Sequence, residues 1–238
     1  MNEKSYVEWL EQANMNTLHT TIGRVLRVLA LLGLASMGGA WGQGRTLTEV
    51  EIRTSLGSIT IELYPDTAPN TVRNFLQYVN DGFYSGTIFH RVIDGFMIQG
   101  GGLTSDMGSK PTRAPIALEN VNRLTNELGT VAMARTNDPN SGRSQFFINV
   151  ADNKSLDYRG QANHEIGYVV FGRVVKGMNV VNAIKRVPTT AVGSMRDVPV
   201  QAVIIEHVAL VVSGKDQNNL PSAQRDDPKV FGRSARGG

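Results

Sequence analysis

Apolar and polar residues alternate with a period of two over residues 50–54 and 59–63, on either side of residues 55–57. Because successive side chains of a β-strand point to opposite faces, this pattern predicts a β-hairpin with one buried face. The next apolar positions have instead the spacing of one helix face: Val72, Phe75, Leu76 and Val79. Pro69 before this stripe and Gly82 after it predict a helix of about 12 residues.

The rest of the periodic region predicts further strands and a second helix. Five apolar segments predict strands: 87–102, 129–134, 144–150, 168–175 and 203–212. Apolar residues at three-residue steps between 178 and 187 predict the helix, and the polar segment 103–128 predicts a long surface loop. This order is not the alternating βαβ order of a parallel sheet. It predicts a mainly β fold, an antiparallel barrel covered by two amphipathic helices.

Both ends of the chain differ from this periodic region. An apolar run over residues 28–37 follows Arg24 and Arg27 and precedes small residues, which predicts a signal segment over residues 1–40, cleaved after Ala40. A retained membrane anchor is the alternative, although the 17 uncharged residues before Arg45 are fewer than the roughly 20 of a membrane helix. Met15 is an alternative start.

The segment 213–238 is polar and predicts a disordered C-terminal tail. A single domain is therefore expected over residues 45–212. Most of the basic excess behind the net charge of +3 lies in the tail, so the nearly balanced domain does not favour nucleic-acid binding. The absence of cysteine excludes disulfides, cysteine-ligated metals and thiol nucleophiles.

One stretch of the predicted strands carries candidate chemistry. If the chain turns tightly at residues 93–95, then Arg91, Met97 and Gln99 share a face. That face would combine a cation, an amide and apolar groups, which suits a neutral peptide carbonyl and a small apolar ring. The alternative is a strand whose Arg and Gln face water. His90 is expected to be a buried structural residue, and no histidine pair has the spacing of a zinc site.

Three blocks of sequence in order resemble the cyclophilin family of peptidyl-prolyl isomerases. They are the stretch FHRVIDGFMIQGG from Phe89 to Gly101, GTVAMA followed by SQFFI, and YVVFGRVV followed by the second helix. The likeness runs from about Val50 to Val212 and is strongest to exported bacterial members. It implies a closed eight-stranded antiparallel β-barrel capped by two α-helices.

The resemblance also implies roles for individual residues. Arg91 matches the family's catalytic arginine and Gln99 the glutamine beside it. The remaining matches are to substrate-binding positions: Phe96, Met97, Phe147 and Leu156 in the proline pocket, Ala134 and Arg135 at the strand edge, Gln145 and Tyr168 nearby. The family's tryptophan, which helps bind cyclosporin, falls on Ser155, so weak binding of this inhibitor is expected.

The function implied is peptidyl-prolyl cis-trans isomerisation of X-Pro bonds in exported proteins, assisting their folding in the periplasm or outside the cell. The partners would be proline-containing segments of unfolded or folding proteins, and the enzyme would be a monomer without metal or other cofactor. Two alternatives remain open: a module that binds proline-containing segments without turnover, and an envelope-tethered scaffold whose leader is retained.

Overall fold

A computed structural model of the chain describes residues 48–119, 124–162 and 165–211. This part contains ten β-strands: β1 Thr48–Thr54, β2 Gly57–Leu63, β3 Thr87–Ile93, β4 Met97–Thr104, β5 Thr130–Met133, β6 Phe146–Asn149, β7 Val170–Lys176, β8 Thr189–Val192, β9 Met195–Pro199 and β10 Val203–Val211. Its two α-helices are α1 Pro69–Asn80 and α2 Met178–Ile184, and a short 3-10 helix spans Lys154–Leu156. The predicted signal segment and C-terminal tail lie outside the described residues.

Eight of the strands form a closed antiparallel barrel in the order β1-β10-β3-β4-β6-β5-β7-β2. The predicted hairpin is present, with Val50 opposite Ile61 and Ile52 opposite Ile59 across β1 and β2. Side chains that point inward from the strands join the apolar stripes of α1 and α2 in one core. The predicted eight-stranded barrel with two helices is therefore confirmed.

Helix α1 begins at Pro69, as the sequence predicts, and a side chain from the loop after β4 caps its first turn. Pro69 occupies the first turn, where a missing backbone N–H costs nothing. The carboxylate of Glu119 accepts hydrogen bonds from the N–H groups of Asn70 (2.8 Å) and Thr71 (2.7 Å), which the helix itself leaves unpaired. The long polar loop therefore holds the helix against the barrel.

Aromatic rings fill much of the barrel interior. Phe75 of α1 meets Tyr84, Phe146 and Phe171 at ring-centre distances of 5.2 to 5.6 Å. The Tyr84 hydroxyl donates a hydrogen bond to the backbone oxygen of Ser144 at 2.8 Å, so its buried polar end is satisfied. Because the interior is packed, a substrate must bind elsewhere.

Two elements were not predicted: the short 3-10 helix Lys154–Leu156 and the two-stranded sheet formed by β8 and β9. All four residues of β8 are exposed, so this strand has no buried face and no period-two apolar pattern. The strands join through a two-residue turn at Gly193, whose φ of 57° lies in the left-handed region that favours glycine. The sheet packs beside β3 and brings Asp197 close to Arg91.

Candidate active site

Strand register places a lateral row of residues on the outer face of the barrel. Arg91 of β3 lies opposite Gln99 of β4, which lies opposite Phe147 of β6. Phe147 is in turn opposite Ala132 of β5, and Ala132 is opposite Val170 of β7. Because residues directly opposite one another project to the same side of a sheet, these five side chains share one face. We call them the outer row.

An apolar cluster separate from the barrel core covers part of this row. Met97 and Phe147 form its buried floor, at 2% and 4% exposure. Phe96, Leu156 and Tyr168 are partly buried around them. The rings of Phe147 and Tyr168 meet edge to face, with centres 5.5 Å apart. These five residues, which we call the apolar pocket, can receive a small ring while the row's polar end stays open.

A network of buried asparagine side chains lies beside the apolar pocket and holds its backbone in place. Asn153 donates to the backbone oxygen of Phe96 and to Oδ1 of Asn149, both at 2.7 Å. Asn149, fully buried, donates to Oγ1 of Thr130 at 2.9 Å and to Oδ1 of Asn126 at 3.2 Å. Buried amides whose donors and acceptors are paired rigidify their surroundings. The network thus holds the turn before β4, which contains Phe96, against the segment that carries Leu156.

The polar end of the row consists of two glutamines and an arginine. Gln99 donates its Nε2 to Oε1 of Gln145 at 2.8 Å. This approach requires Gly102, because a Cβ there would lie 2.5 Å from Cγ of Gln145. Gly102 therefore serves close packing, as do its neighbours Gly100 and Gly101, where an added Cβ would lie 2.8 Å and 2.9 Å from other atoms. Arg91 is half-exposed, and its Nε lies 3.9 Å from Oδ2 of Asp197.

The segment after β5 forms an open edge beside the pocket. The N–H of Ala134 donates to the backbone oxygen of Gln145 at 3.0 Å, which continues the pairing with the segment before β6. Among the described residues, neither the N–H nor the carbonyl oxygen of Arg135 has a backbone partner. The Arg135 guanidinium lies over the Tyr168 ring, 4.6 Å from its centre, and its Nε donates to the oxygen of Gly167. One residue of backbone is thus available to pair with a bound peptide.

His90, next to Arg91 on β3, is buried. It is 7% exposed, and its Nδ1 has no hydrogen-bond partner among the described residues. Burial lowers the pKa of His90 below its ordinary value, and the charge of Arg91 lowers it further. The expectation of a buried structural histidine agrees with this placement. His207 lies exposed on β10, and His164 is outside the described residues.

The structure brings together the site residues that the sequence predicted. Arg91, Met97 and Gln99 do share a face, and the other predicted residues surround it: Phe96, Ala134, Arg135, Gln145, Phe147, Leu156 and Tyr168. Sequence reasoning missed Asp197 and the amides of Asn126, Asn149 and Asn153. The described residues contain no group of three or more acidic or histidine side chains placed to hold a metal. None of their helices is long and apolar enough to cross a membrane.

Fold and site together define a class of protein: a closed barrel whose outer face carries an apolar pocket, with a half-exposed arginine and an open backbone edge beside it. A family model described as "Cyclophilin type peptidyl-prolyl cis-trans isomerase/CLD" matches residues 49–210. The chain belongs to the cyclophilin family of peptidyl-prolyl cis-trans isomerases.

Individual relatives agree with this assignment. The chain is 54% identical over 165 residues to peptidyl-prolyl cis-trans isomerase cyp18 of Streptomyces antibioticus, covering 69% of this chain and 99% of that one. It is 48% identical over 184 residues to peptidyl-prolyl cis-trans isomerase A of Dickeya dadantii, covering 77% and 95%. A crystal structure of a Cryptosporidium parvum cyclophilin in the presence of the dipeptide Ala-Pro matches with a TM-score of 0.56 and 26% identity, covering 69% and 99%.

Proposed function

We propose that this chain isomerises X-Pro bonds with Arg91 as its catalytic residue. The observation that carries the proposal is the outer row, which sets the Arg91 guanidinium and the Gln99 amide beside the apolar pocket. Rotation about an X-Pro bond takes about 10 to 100 s unassisted, because amide resonance must be broken. The apolar pocket holds the proline ring while the preceding carbonyl rotates.

Arg91 supplies the stabilisation that is specific to the transition state. When the bond is twisted, the proline nitrogen becomes pyramidal and regains a lone pair, which a guanidinium N–H can meet. The planar ground state has no such lone pair, so this contact favours the twisted form alone, which is the condition for catalysis. Arginine suits the role because it stays protonated and offers several donors. Gln99, directly opposite, limits where the guanidinium can lie.

The open edge holds the substrate backbone on one side of the rotating bond. The N–H and carbonyl of Arg135, for which the described part of the chain offers no backbone partner, bind one residue of the peptide as a neighbouring strand would. Tyr168 fixes the Arg135 side chain by stacking and also forms a wall of the apolar pocket. With the ring and one flank held, the acyl part is the portion left free to turn.

The test compares Arg91→Ala with Arg173→Ala. Arg173 is a matched control, because its side chain is 48% exposed and 3.7 Å from Glu127, as Arg91 is 43% exposed and 3.9 Å from Asp197. Exchange NMR on a short X-Pro peptide measures kcat/KM, and thermal unfolding checks the fold. Arg91→Ala should lose at least about 100-fold, as for a lost transition-state donor, while Arg173→Ala keeps wild-type turnover. Near-normal rates in Arg91→Ala would refute this role.

The same assay separates the enzyme from a module that only binds. A wild-type chain that binds proline peptides, yet leaves their exchange rate unchanged, would support the binding module instead. Arg91 favours catalysis, because a site that only holds the planar peptide has no need of a donor aimed at the proline nitrogen.

We infer further that the enzyme acts as a monomer on exported proteins and assists their folding. The apolar run at 28–37 behind Arg24 and Arg27 supports export with cleavage after Ala40. N-terminal sequencing of the protein recovered from cell fractions should find Trp41 as the first residue, in the periplasm or the medium. An intact leader in the membrane fraction would favour the tethered alternative. A refolding reaction limited by prolyl isomerisation should accelerate when the enzyme is added.

A further inference from the structure

We propose that Lys185 is a positioning residue of the isomerase site. It follows the last residue of α2, and its Nζ lies 2.9 Å from Oδ1 of Asp94, in the turn between β3 and β4. This ion pair holds the turn, and with it the ring of Phe96, at the apolar pocket. The inference rests on the proposed isomerase activity and adds to it a residue that acts through Asp94 and Phe96 rather than on the substrate.

The turn that Lys185 contacts joins the strand of Arg91 to a wall of the apolar pocket. Ile93 of β3 pairs with Met97 of β4, so residues 94–96 form the turn between the two strands. The N–H of Phe96 donates to the backbone oxygen of Ile93 at 3.1 Å. Because the turn is this short, a displacement of its first residue also displaces the ring of Phe96.

The turn is held at one end by a hydrogen bond and is open at the other. The backbone oxygen of Phe96 accepts from Nδ2 of Asn153 at 2.7 Å. The side chain of Asp94 is by contrast 57% exposed, and a Cβ added to Gly95 would have no atom within 4 Å. Lys185 therefore contacts the turn at the end where little other structure surrounds it.

Lys185 can hold the turn because its own backbone belongs to a packed helix. Its N–H donates to the backbone oxygen of Val181 at 3.0 Å, and both Val181 and Ile184 are buried in the barrel core. The Lys185 side chain is only 19% exposed, so much of its length is already packed. An ion pair with one anchored partner loses less side-chain entropy than a pair between two free surface side chains.

The ionisation of Asp94 agrees with this contact. The hydrogen bond from Lys185 lowers the pKa of Asp94 below its ordinary value, and the positive charges of Lys185 and Arg186 act in the same direction. The carboxylate is therefore ionised and paired at neutral pH.

Loss of the ion pair should affect substrate binding more than bond rotation. Phe96 holds the proline ring in both the planar and the twisted form, so a displaced Phe96 ring raises KM and leaves kcat nearly unchanged. Arg91 is less affected, because its strand pairs directly with Gln99. A residue that only stabilised the fold would lower the free energy of unfolding without changing KM.

The test measures KM and kcat on one neutral X-Pro peptide for variants of the ion pair. Lys185→Gln should raise KM about threefold with kcat unchanged, which is within the range of an ion pair at a partly exposed site. Lys185→Arg should keep the wild-type KM, since arginine retains the charge. Asp94→Asn, at an exposed side chain, can still accept from the N–H of Gly95 and should raise KM about twofold.

Arg186→Gln is the matched control. Arg186 is exposed and lies next to Lys185 at the same helix end, so its replacement removes the same charge and the same interaction with the helix dipole. This variant should keep the wild-type KM. The double variant Lys185→Gln/Asp94→Asn should have no higher KM than Lys185→Gln, because the pair can be broken only once.

Three results would overturn the positioning role. One is a wild-type KM for Lys185→Gln, whatever its free energy of unfolding. The second is a rise in KM that Arg186→Gln shares, and the third is a double variant in which the two single effects multiply. If Lys185→Gln does not fold, Asp94→Asn decides, and a wild-type KM for that variant would reject the ion pair.

Turnover by the wild-type chain keeps the two proposals distinguishable. A wild-type chain that isomerises the peptide, with a KM that Lys185→Gln does not change, rejects the positioning role and leaves the proposed function intact. Absence of turnover rejects the proposed function instead. Titration of the same peptide then decides on Lys185 alone, since its Kd should rise about threefold in Lys185→Gln and stay unchanged in Arg186→Gln.

Discussion

Replacing Asp197 with Asn should make the enzyme faster. The Asp197 carboxylate lies 3.9 Å from Nε of Arg91, and no hydrogen bond joins them, so it lowers the local positive potential without fixing the guanidinium. Asp197 has a φ of 61°, in the left-handed region that most residues avoid. Asn adopts this conformation as readily as Asp, so Asp197→Asn removes the charge and retains the backbone.

The distance sets an upper limit on the gain. Two unit charges 3.9 Å apart interact by about 1 kcal/mol in a medium with the dielectric constant of water. Both side chains are at least 40% exposed, so the water value applies, and exposed pairs measure about 0.2 to 1 kcal/mol. If Arg91 regains this energy in the transition state, kcat/KM rises by about 1.4-fold to about fivefold.

The assay measures kcat/KM of the wild-type and Asp197→Asn enzymes on one neutral X-Pro peptide, at low and at high salt. The advantage of Asp197→Asn should be present at low ionic strength and shrink at about 0.5 M salt, where the Debye length is only a few ångströms. Combining the change with Arg91→Ala provides the control, since the gain must vanish when its target is absent. A slower Asp197→Asn enzyme, or a gain that persists without Arg91, would refute this reasoning.

Three further predictions concern stability, inhibition and the two faces of β6. Because burial lowers the pKa of His90 in the folded state, the unfolded state binds the proton more tightly. The free energy of unfolding, measured in urea, should be highest above about pH 6.5 and should fall as the pH drops below it. His90→Gln should reduce this dependence on pH. Cyclosporin should bind weakly, since Ser155 is an exposed residue of the 3-10 helix, and a nanomolar titration would contradict this. Phe146→Leu should lower the free energy of unfolding by about 1 to 2 kcal/mol with little change in KM. Phe147→Leu should instead raise KM. If Phe146→Leu raised KM and Phe147→Leu did not, the substrate pocket would not lie on the outer face of β6.

Much of the fold follows from the sequence because burial imposes a period on it. The stripe over Val72, Phe75 and Val79 predicts α1, and those three side chains are buried. The alternation in β1 and β2 predicts a hairpin for the same reason. β8 has no buried residue, so neither helical nor strand periodicity marks it. The turn at Gly193 and Ser194 was the available signal for that hairpin.

Strand periodicity predicted the site residues that lie close together along the chain, but it did not predict those that reach the site from distant segments. Arg91, Met97 and Gln99 lie close together in sequence, and strand alternation alone puts them on one face. Asp197 is far along the chain from these residues and reaches the site through an exposed hairpin. No local pattern encodes such approaches, because they depend on how distant segments pack.

The packed interior leaves only the outer surface of the barrel for the proposed chemistry. Eight strands enclose a space that side chains fill, here with the rings of Phe75, Tyr84, Phe146 and Phe171. Adjacent residues of β6 therefore point to opposite faces of the barrel wall. Phe146 packs in the core, and Phe147 forms the floor of the apolar pocket. Because the interior strand residues are rigidly packed, the outer row is held in register across five strands. The backbone of Arg91 is then held at a set distance from the apolar pocket, although its own side chain is half-exposed.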